Sequence, residues 1–175
     1  KSPQAALLGA LERRRFRLMF LSADEAIALW SEFAGRLQEA GRRALRLSEI
    51  RAGIPVIYPE TSEEFVLQMA NLGVLDGVSF KKGCYPGQEI VARMQYLGKL
   101  KRRMFLAEFE TDRLPRPGDA LVLEGKSEVD GSGMVVDAEF DDEGVCYCLY
   151  IAQIERAEGN KLRFLAQPEV RLQNR

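Results

Sequence analysis

The chain of 175 residues contains no histidine. This absence excludes from the chain a Ser-His-Asp triad, a Cys-His dyad and any zinc site that is ligated by histidine. Proton transfer would therefore need a carboxylate, a lysine, a tyrosine or a thiol. Cysteine is scarce as well, because three cysteines, an odd number in a chain of this size, do not form a disulfide framework. Reduced thiols in a cytoplasm are therefore expected.

Long apolar runs are also missing, and no stretch is long enough to span a bilayer. Charged residues make up 29% of the chain, and 25 basic against 26 acidic residues give a net charge of −1. This balance is typical of a globular protein and argues against nucleic-acid binding over the whole surface, although it allows a local basic patch. Because the chain begins at Lys1 without a methionine, we expect that an N-terminal part is missing.

The first half mixes strand and helix patterns. The apolar residues 15–21 predict a buried strand. A Ser-x-x-Glu capping box at Ser22 and Glu25 then starts a predicted helix, whose apolar spacing ends at Gly41. The run Arg13–Arg15 is interpreted as a solvated turn.

Residues 43–50 predict a second strand, and residues 51–60, with a glycine and two prolines, predict an irregular loop. A second capping box, at Thr61 and Glu64, predicts a short helix lined by Phe65, Val66 and Met69. The alternation of strands and helices predicts an α+β layer with helices on one face of a sheet.

After Lys101 the pattern changes to short strand-like runs separated by turn residues. These runs are residues 103–110, 120–124, 133–140, 145–151 and 161–165. Five strands without a helix predict a small antiparallel β-barrel. We therefore predict two domains, residues 1–100 and 101–175, with their boundary at residues 99–102.

Cys84 lies in the segment KKGCYPGQE, residues 81–89. Pro86 suits the first turn of a helix. The apolar side of that helix would consist of Ile90, Val91, Met94 and Leu97, with Gly98 at its end. Cys84 would then lie at or just before the helix N-terminus, where the macrodipole, free N–H groups, Lys81 and Lys82 favour a thiolate. A reactive thiol is one interpretation, and a small buried cysteine packed under a turn is the other.

Positive charge is concentrated around this segment. Between residues 81 and 103 there are seven basic residues against one acid, Glu89; the basic residues are Lys81, Lys82, Arg93, Lys99, Lys101, Arg102 and Arg103. A basic region beside a helix N-terminus suits an anionic ligand, and the alternative is a solvated basic face.

Cys146 and Cys148 form a C-x-C motif, and on a strand their side chains would share one face. Such a pair is poor ligand geometry compared with paired C-x-x-C motifs. Packing on a barrel face is therefore favoured, and no metal site is predicted.

The stretch KKGCYPGQEIVAR, residues 81–93, resembles the signature of the YgfZ-type folate-binding family, K-G-C-aromatic-x-G-Q-E followed by a basic residue. The similarity continues upstream through AGIPV, residues 52–56, and NLGVLDGVSF, residues 71–80, and covers essentially the whole chain. The family is related to the T-protein, the aminomethyltransferase of the glycine-cleavage system. The resemblance implies three domains around a folate channel, here a mixed strand and helix (ferredoxin-like) portion followed by a β-barrel.

The resemblance also implies a cytoplasmic, monomeric protein that binds tetrahydrofolate or a one-carbon derivative of it. Such a protein would support iron–sulfur enzymes or their assembly factors and, through them, tRNA modification. Its function would depend on Cys84, and Arg93 and the motif aromatic Tyr85 would face the folate. The supporting motif residues would be Lys81, Lys82, Gly83, Gly87, Gln88 and Glu89.

The chain departs from the family pattern at the pterin pocket. Relatives carry an acid two residues before the loop glycine, where this chain has Arg51 before Gly53, and Glu49 is the nearest substitute. Leu45 stands where family members carry an aromatic residue. By the resemblance, Leu45, Glu49 and Arg51 are nevertheless the residues expected to bind folate at this pocket. T-proteins also lack a cysteine at the position of Cys84, so aminomethyl transfer need not carry over.

Two functions of different classes remain. In the first, a folate-binding factor without classical turnover uses Cys84 to handle a thiol, sulfur or one-carbon adduct for iron–sulfur enzymes. The second is a folate-dependent aminomethyl- or methyltransferase. The Lys-Gly-Cys motif favours the first. A third interpretation, an RNA-binding module that uses the basic patch, ranks last because the sequence shows no exposed aromatic platform for bases.

Overall fold

The structure, a computed structural model, describes residues 6–12, 15–19, 22–79, 82–96, 98–159 and 161–174. The chain divides into two compact units, Lys1–Gly41 and Arg42–Arg175. The first unit contains the antiparallel strands β1 (Ala6–Glu12) and β2 (Arg15–Met19) and helix α1 (Ala23–Ala34). No helix among the described residues is long and apolar enough to cross a membrane.

The elements of this first unit confirm the strand and the helix predicted there, and β1 was not predicted. Ser22 caps α1, because its hydroxyl accepts a hydrogen bond from the backbone N–H of Glu25 at 3.3 Å. The helix ends at Ala34, before the predicted Gly41, and the N–H of Gly35 caps it by donating to the Phe33 carbonyl. Arg13 and Arg14 of the predicted turn lie outside the described residues.

Among its described residues, the second unit contains three further α-helices, seven strands and one 3₁₀ turn. In chain order they are α2 (Arg42–Arg51), the 3₁₀ turn (Pro59–Thr61), α3 (Gln88–Tyr96), β3 (Arg102–Glu110), β4 (Ala120–Leu123), β5 (Gly133–Phe140), β6 (Val145–Gln153), α4 (Ile154–Glu158), β7 (Leu162–Phe164), β8 (Gln167–Arg171) and β9 (Gln173–Asn174).

The seven strands that the structure describes in the second unit pair antiparallel in one sheet, in the order β8-β7-β4-β5-β6-β3-β9. The two edge strands, β8 and β9, follow each other directly in the chain and are joined by the buried Leu172, so the sheet nearly closes into a barrel. This confirms the predicted antiparallel barrel and its five strands. The short strands β8 and β9 and the five-residue α4 were not predicted.

Two apolar cores lie on opposite faces of this sheet. The inner core collects side chains from β3 to β8 on one face, and the outer core lies on the other face, beneath α2 and residues 65–70. Strand β6 serves both cores: Cys148 and Tyr150 point into the inner core, whereas Leu149 and Ile151 point into the outer core. This explains why β6 is a continuous apolar run rather than an alternating one.

The prediction of a strand at residues 43–50 is wrong, because these residues form α2. The spacing of Leu45 and Leu47 imitates a strand, but the contacts follow a helical period. Arg43, Arg46, Leu47 and Ile50 share the face that meets the sheet. The buried Ile50 anchors this face in the outer core.

The short helix predicted after Thr61 is also wrong. Thr61 ends the 3₁₀ turn, where its hydroxyl accepts from the N–H of Tyr58 at 3.1 Å, and residues 62–76 form turns and irregular backbone. Glu63 and Asn71 adopt positive φ angles of 64° and 57°, which interrupt a right-handed helix. Phe65, Met69 and Ala70 nevertheless pack on the outer core. The predicted domain boundary at residues 99–102 lies at the start of β3 and stays a prediction, as does the ferredoxin-like portion.

Candidate functional site

Cys84 lies on an exposed loop and its thiol is free. The interpretation as a cysteine buried under a turn is therefore wrong. Helix α3 begins at Gln88, four residues further on, so Pro86 and Gly87 form the turn before the helix. Position 87 favours glycine, because the φ angle of Gly87 is +81°, which side chains disfavour. The N–H of Gln88 donates to the Tyr85 carbonyl at 3.1 Å, which holds the loop against the helix start.

A fixed positive charge lies beside the thiol in sequence. The Lys82 ammonium is 4.6 Å from the centroid of the Tyr85 ring, a cation–π contact that spans Cys84. Lys82 and Cys84 are exposed, and Tyr85 is half-buried. The contact with the ring therefore positions the Lys82 ammonium while the ammonium stays in water. A Cβ at Gly83 would meet no atom within 4 Å, so the loop is open at this point. Lys81 lies outside the described residues.

Residues 62–76 link helix α3 to the sheet, because one of their side chains donates a hydrogen bond to α3 and another donates one to β3. The Gln68 amide donates to the carbonyl of the buried Val91 at 2.7 Å, and the Asn71 amide donates to the Met104 carbonyl at 3.0 Å. Glu89 and Arg93 lie on the same helix with exposed side chains, where Arg93 is accessible to an anionic ligand.

The other residues predicted to bind folate lie on α2, at a different element from Cys84. Leu45 is 57% exposed and Glu49 is half-buried. Arg51 is engaged by the sheet: its Nη2 lies 2.8 Å from Asp141 Oδ2, and its guanidinium stacks 4.0 Å from the centroid of the Tyr147 ring. The structure therefore brings Lys82 and Tyr85 together, and it places Arg51 in a contact between α2 and the sheet.

An ionic cluster beneath α2 was not predicted. Asp137 is 1% exposed, and its carboxylate accepts from Arg46 Nε at 2.7 Å, from Arg46 Nη2, and from the Tyr58 hydroxyl at 3.0 Å. Burial, together with the charge of Asp137 and its hydrogen bond, raises the pKa of Tyr58 above its ordinary value. Next to this pair, Arg43 Nε lies 3.3 Å from the Glu139 carboxylate.

A β-bulge explains why a carboxylate points at α2. The pairing of β5 with β6 shifts between Val135 and Asp137, so that Asp137 faces Leu149 on the outer side of the sheet. The signal in the sequence is the presence of two acids, Asp137 and Glu139, in the otherwise apolar strand GMVVDAEF. A buried acid in such a strand requires a cationic partner, and α2 supplies it.

The C-x-C motif packs in the inner core, as predicted. Cys146 and Cys148 are both fully buried on the same face of β6. Burial is the main influence that raises the pKa of the Cys146 thiol to about 12, and burial also raises the pKa of Cys148. Both thiols therefore stay protonated near neutral pH, where a thiolate would be needed for a nucleophile or a metal ligand.

These features define an α+β protein whose antiparallel, barrel-like sheet carries a helical layer and an exposed thiol loop. No family model matches the chain. Curated proteins named tRNA-modifying protein YgfZ do match it. The chain is 32% identical over 158 residues to the one from Photobacterium profundum, which covers 90% of this chain and 48% of that protein.

Two further relatives carry the same name. The one from Pectobacterium carotovorum is 31% identical over 146 residues, 83% of this chain and 44% of that protein. The one from Yersinia pestis is 31% identical over 154 residues, 88% of this chain and 46% of that protein. The chain thus spans somewhat less than half the length of these curated relatives. The relatives confirm the resemblance to the YgfZ-type family that the Cys84 motif predicted.

Proposed function

We propose that this chain is part of a tetrahydrofolate-binding factor that supports tRNA modification, with Cys84 as its functional thiol. The observation that carries the proposal is the exposed, free thiol of Cys84 within a motif that resembles the YgfZ signature. The name of the relatives, tRNA-modifying protein, supports the biological process. A cytoplasmic location and a T-protein-like arrangement of the first 100 residues belong to the same proposal.

In this proposal the loop at Cys84 carries the chemistry. Lys82, held over the Tyr85 ring, lies two residues from Cys84 and is the nearest described cation in the sequence. The chain has no histidine to act as a base. In service of iron–sulfur enzymes, the Cys84 sulfur would exchange into the S–S bond of a partner's disulfide or persulfide and release the partner's thiol. Alternatively it would take a one-carbon unit from a folate derivative, in which case the C–N bond breaks as the C–S bond forms and the folate nitrogen takes up the thiol proton. The exposure of Cys84 gives a partner protein direct access to the thiol.

The folate would lie against α3. The exposed Arg93 suits the anionic glutamate tail, and the half-buried Tyr85 supplies an aromatic ring for the pterin. On α2, Leu45 and Glu49 would complete the pterin pocket. Arg51, engaged by Asp141 and Tyr147, would hold α2 in position rather than contact the ligand.

The thiol is tested by alkylation with iodoacetamide at neutral pH, followed by peptide mass spectrometry. Cys84 should react much faster than the buried Cys146, and Cys84→Ala should abolish complementation in cells with a nearly unchanged melting temperature. If Cys84 is alkylated slowly, or if the Cys84→Ala protein unfolds, the residue has a packing role instead of a functional one. A Cys84→Ala protein that still supports tRNA modification would remove the thiol from the function.

The folate site is tested by calorimetric titration of tetrahydrofolate into wild-type and Arg93→Ala proteins. Loss of a charge-assisted contact should weaken binding by about 1.5–3 kcal/mol. Arg113→Ala, at an exposed arginine of the loop after β3, is the matched control and should leave the affinity unchanged. Equal affinities for all three proteins would exclude Arg93 from the site. Turnover of a one-carbon folate with a defined acceptor would instead favour the transferase.

A further inference from the structure

A cleft of about 740 Å³ opens where α4 follows β6, away from the Cys84 loop in sequence. Its walls are Lys99, Lys101 and Arg102 on one side and Gln153, Ile154 and Glu155 on the other. The N–H of Ile154 donates to the Lys101 carbonyl at 3.0 Å, which fixes the two walls against each other. The cleft is therefore built by backbone contacts and does not depend on the lysine side chains.

The charge of this cleft is unbalanced. Lys99 and Lys101 are exposed and have no acidic partner within the part of the chain that the structure describes. Arg102 already uses one donor within the protein, since its Nη2 donates to the Gly131 carbonyl at 2.7 Å. Against these three cations the cleft has one acid, Glu155. A concave surface with excess positive charge concentrates anionic ligands.

An exposed aromatic ring stands next to these cations in the chain. Tyr96, the last residue of α3, is 72% exposed. The chain leaves the helix tightly at Gly98, where a Cβ would lie 2.8 Å from Met94 Cα, so a larger residue would push the lysine segment away. Tyr96 lies three positions before Lys99 in the chain. The sequence alone did not reveal this aromatic platform.

We propose that Tyr96, Lys99, Lys101 and Arg102 form a binding site for a single-stranded segment of RNA. The phosphates would lie against the lysines in the cleft, and a base would stack on the Tyr96 ring. Cationic grooves with an aromatic ring are the usual means of binding single strands without sequence preference. The proposal rests on the proposed role in tRNA modification, because that role supplies an RNA ligand.

Salt dependence gives the expected signature of this site. With three phosphate contacts to a single strand, log K should fall with log salt concentration at a slope of about −2. Each contact then contributes about fivefold in affinity at roughly 0.1 M salt, so Lys99→Gln with Lys101→Gln should weaken binding about 25-fold and reduce the slope by about 1.4. The lysines are exposed, so the fold should not change.

The experiment is fluorescence anisotropy with a labelled single-stranded RNA oligonucleotide, and its duplex as comparison, at several salt concentrations. The control pair, Lys126→Gln with Lys161→Gln, removes the same charge from two exposed lysines outside the cleft. Tyr96→Ala should weaken binding by about five- to a hundredfold, whereas Tyr96→Phe should bind like wild type. Glu155→Gln should tighten binding severalfold, because it removes the acid from the cleft.

No binding by the wild-type protein, equal losses in the two lysine pairs, or an unchanged slope would overturn the proposal. Tighter binding of the duplex than of the single strand would overturn it as well. Tetrahydrofolate titration of the same variants separates this site from the proposed function. The lysine and Tyr96 variants should keep their folate affinity, and Cys84→Ala should keep its RNA affinity.

Discussion

Arg46 is expected to hold α2 on the sheet, and Arg46→Met tests this. The variant keeps much of the side-chain length but leaves the Asp137 carboxylate, 1% exposed, without its cation. Breaking a buried pair costs about 3–5 kcal/mol. Because 27% of the Arg46 side chain is exposed and Tyr58 still donates to Asp137, we expect the lower end, about 3 kcal/mol. In a chain of this size that corresponds to a fall in melting temperature of about 6–12 °C.

The assay is urea unfolding followed by far-ultraviolet circular dichroism, because the single tryptophan, Trp30, lies in the other unit and would not report on α2. Arg43→Met is the matched control. Its guanidinium also pairs with an acid, but 58% of its side chain is exposed, so its loss should cost less than about 1 kcal/mol. The double variant Arg46→Met, Asp137→Leu should recover most of the stability. A cost below about 1 kcal/mol for Arg46→Met, or equal costs at both arginines, would refute the reasoning.

Two further predictions concern the inner face of the sheet and its strand pairing. The contribution of the two inner-core thiols to stability should be constant below about pH 9 and fall above it by about 1.4 kcal/mol per pH unit for each thiol, because the raised pKa of Cys146, about 12, keeps the proton on the folded state while the unfolded thiol loses it. Urea titrations at increasing pH check this, and Cys146→Ala should flatten the fall. Gly133→Ala should destabilise the chain by about 1–3 kcal/mol, because its Cβ would lie 2.8 Å from the Ile151 carbonyl oxygen, whereas Gly35→Ala meets no atom within 4 Å. Thermal unfolding of both variants checks this: the melting temperature should fall for Gly133→Ala and stay nearly unchanged for Gly35→Ala.

The barrel could be predicted from the sequence because its strands are short, apolar and separated by turn residues. Each of these signals is local, and the five predicted runs all became strands. The strands β8 and β9 escaped prediction because QPEVR and QN lack an apolar alternation. They are strands because an edge of the sheet lies beside them, which is information from the tertiary structure.

The helical layer was harder to predict than the barrel, because the residues of α2 fit both the two-residue period of a strand and the 3.6-residue period of a helix. Leu45 and Leu47 suggest a strand, whereas contacts distant in sequence, such as that of Arg46 with Asp137, 91 positions away, and the burial of Ile50 in the outer core, favour a helix. The Cys84 loop lies between these cases. Its motif predicts a functional thiol at Cys84, which stays a prediction, and the exposure of the thiol depends on where the helix begins, a boundary that sequence patterns locate poorly.

The position of β6 between two cores has a consequence for how the molecule opens. Its amides cannot exchange with solvent by loss of one layer alone, since residues such as Tyr150 and Ile151 anchor the strand from opposite sides. Release of α2 and disruption of the barrel interior should therefore be thermodynamically linked, with β6 among the slowest-exchanging amides. A ligand that orders α2 would then slow hydrogen exchange deep in the sheet, at positions that it never touches.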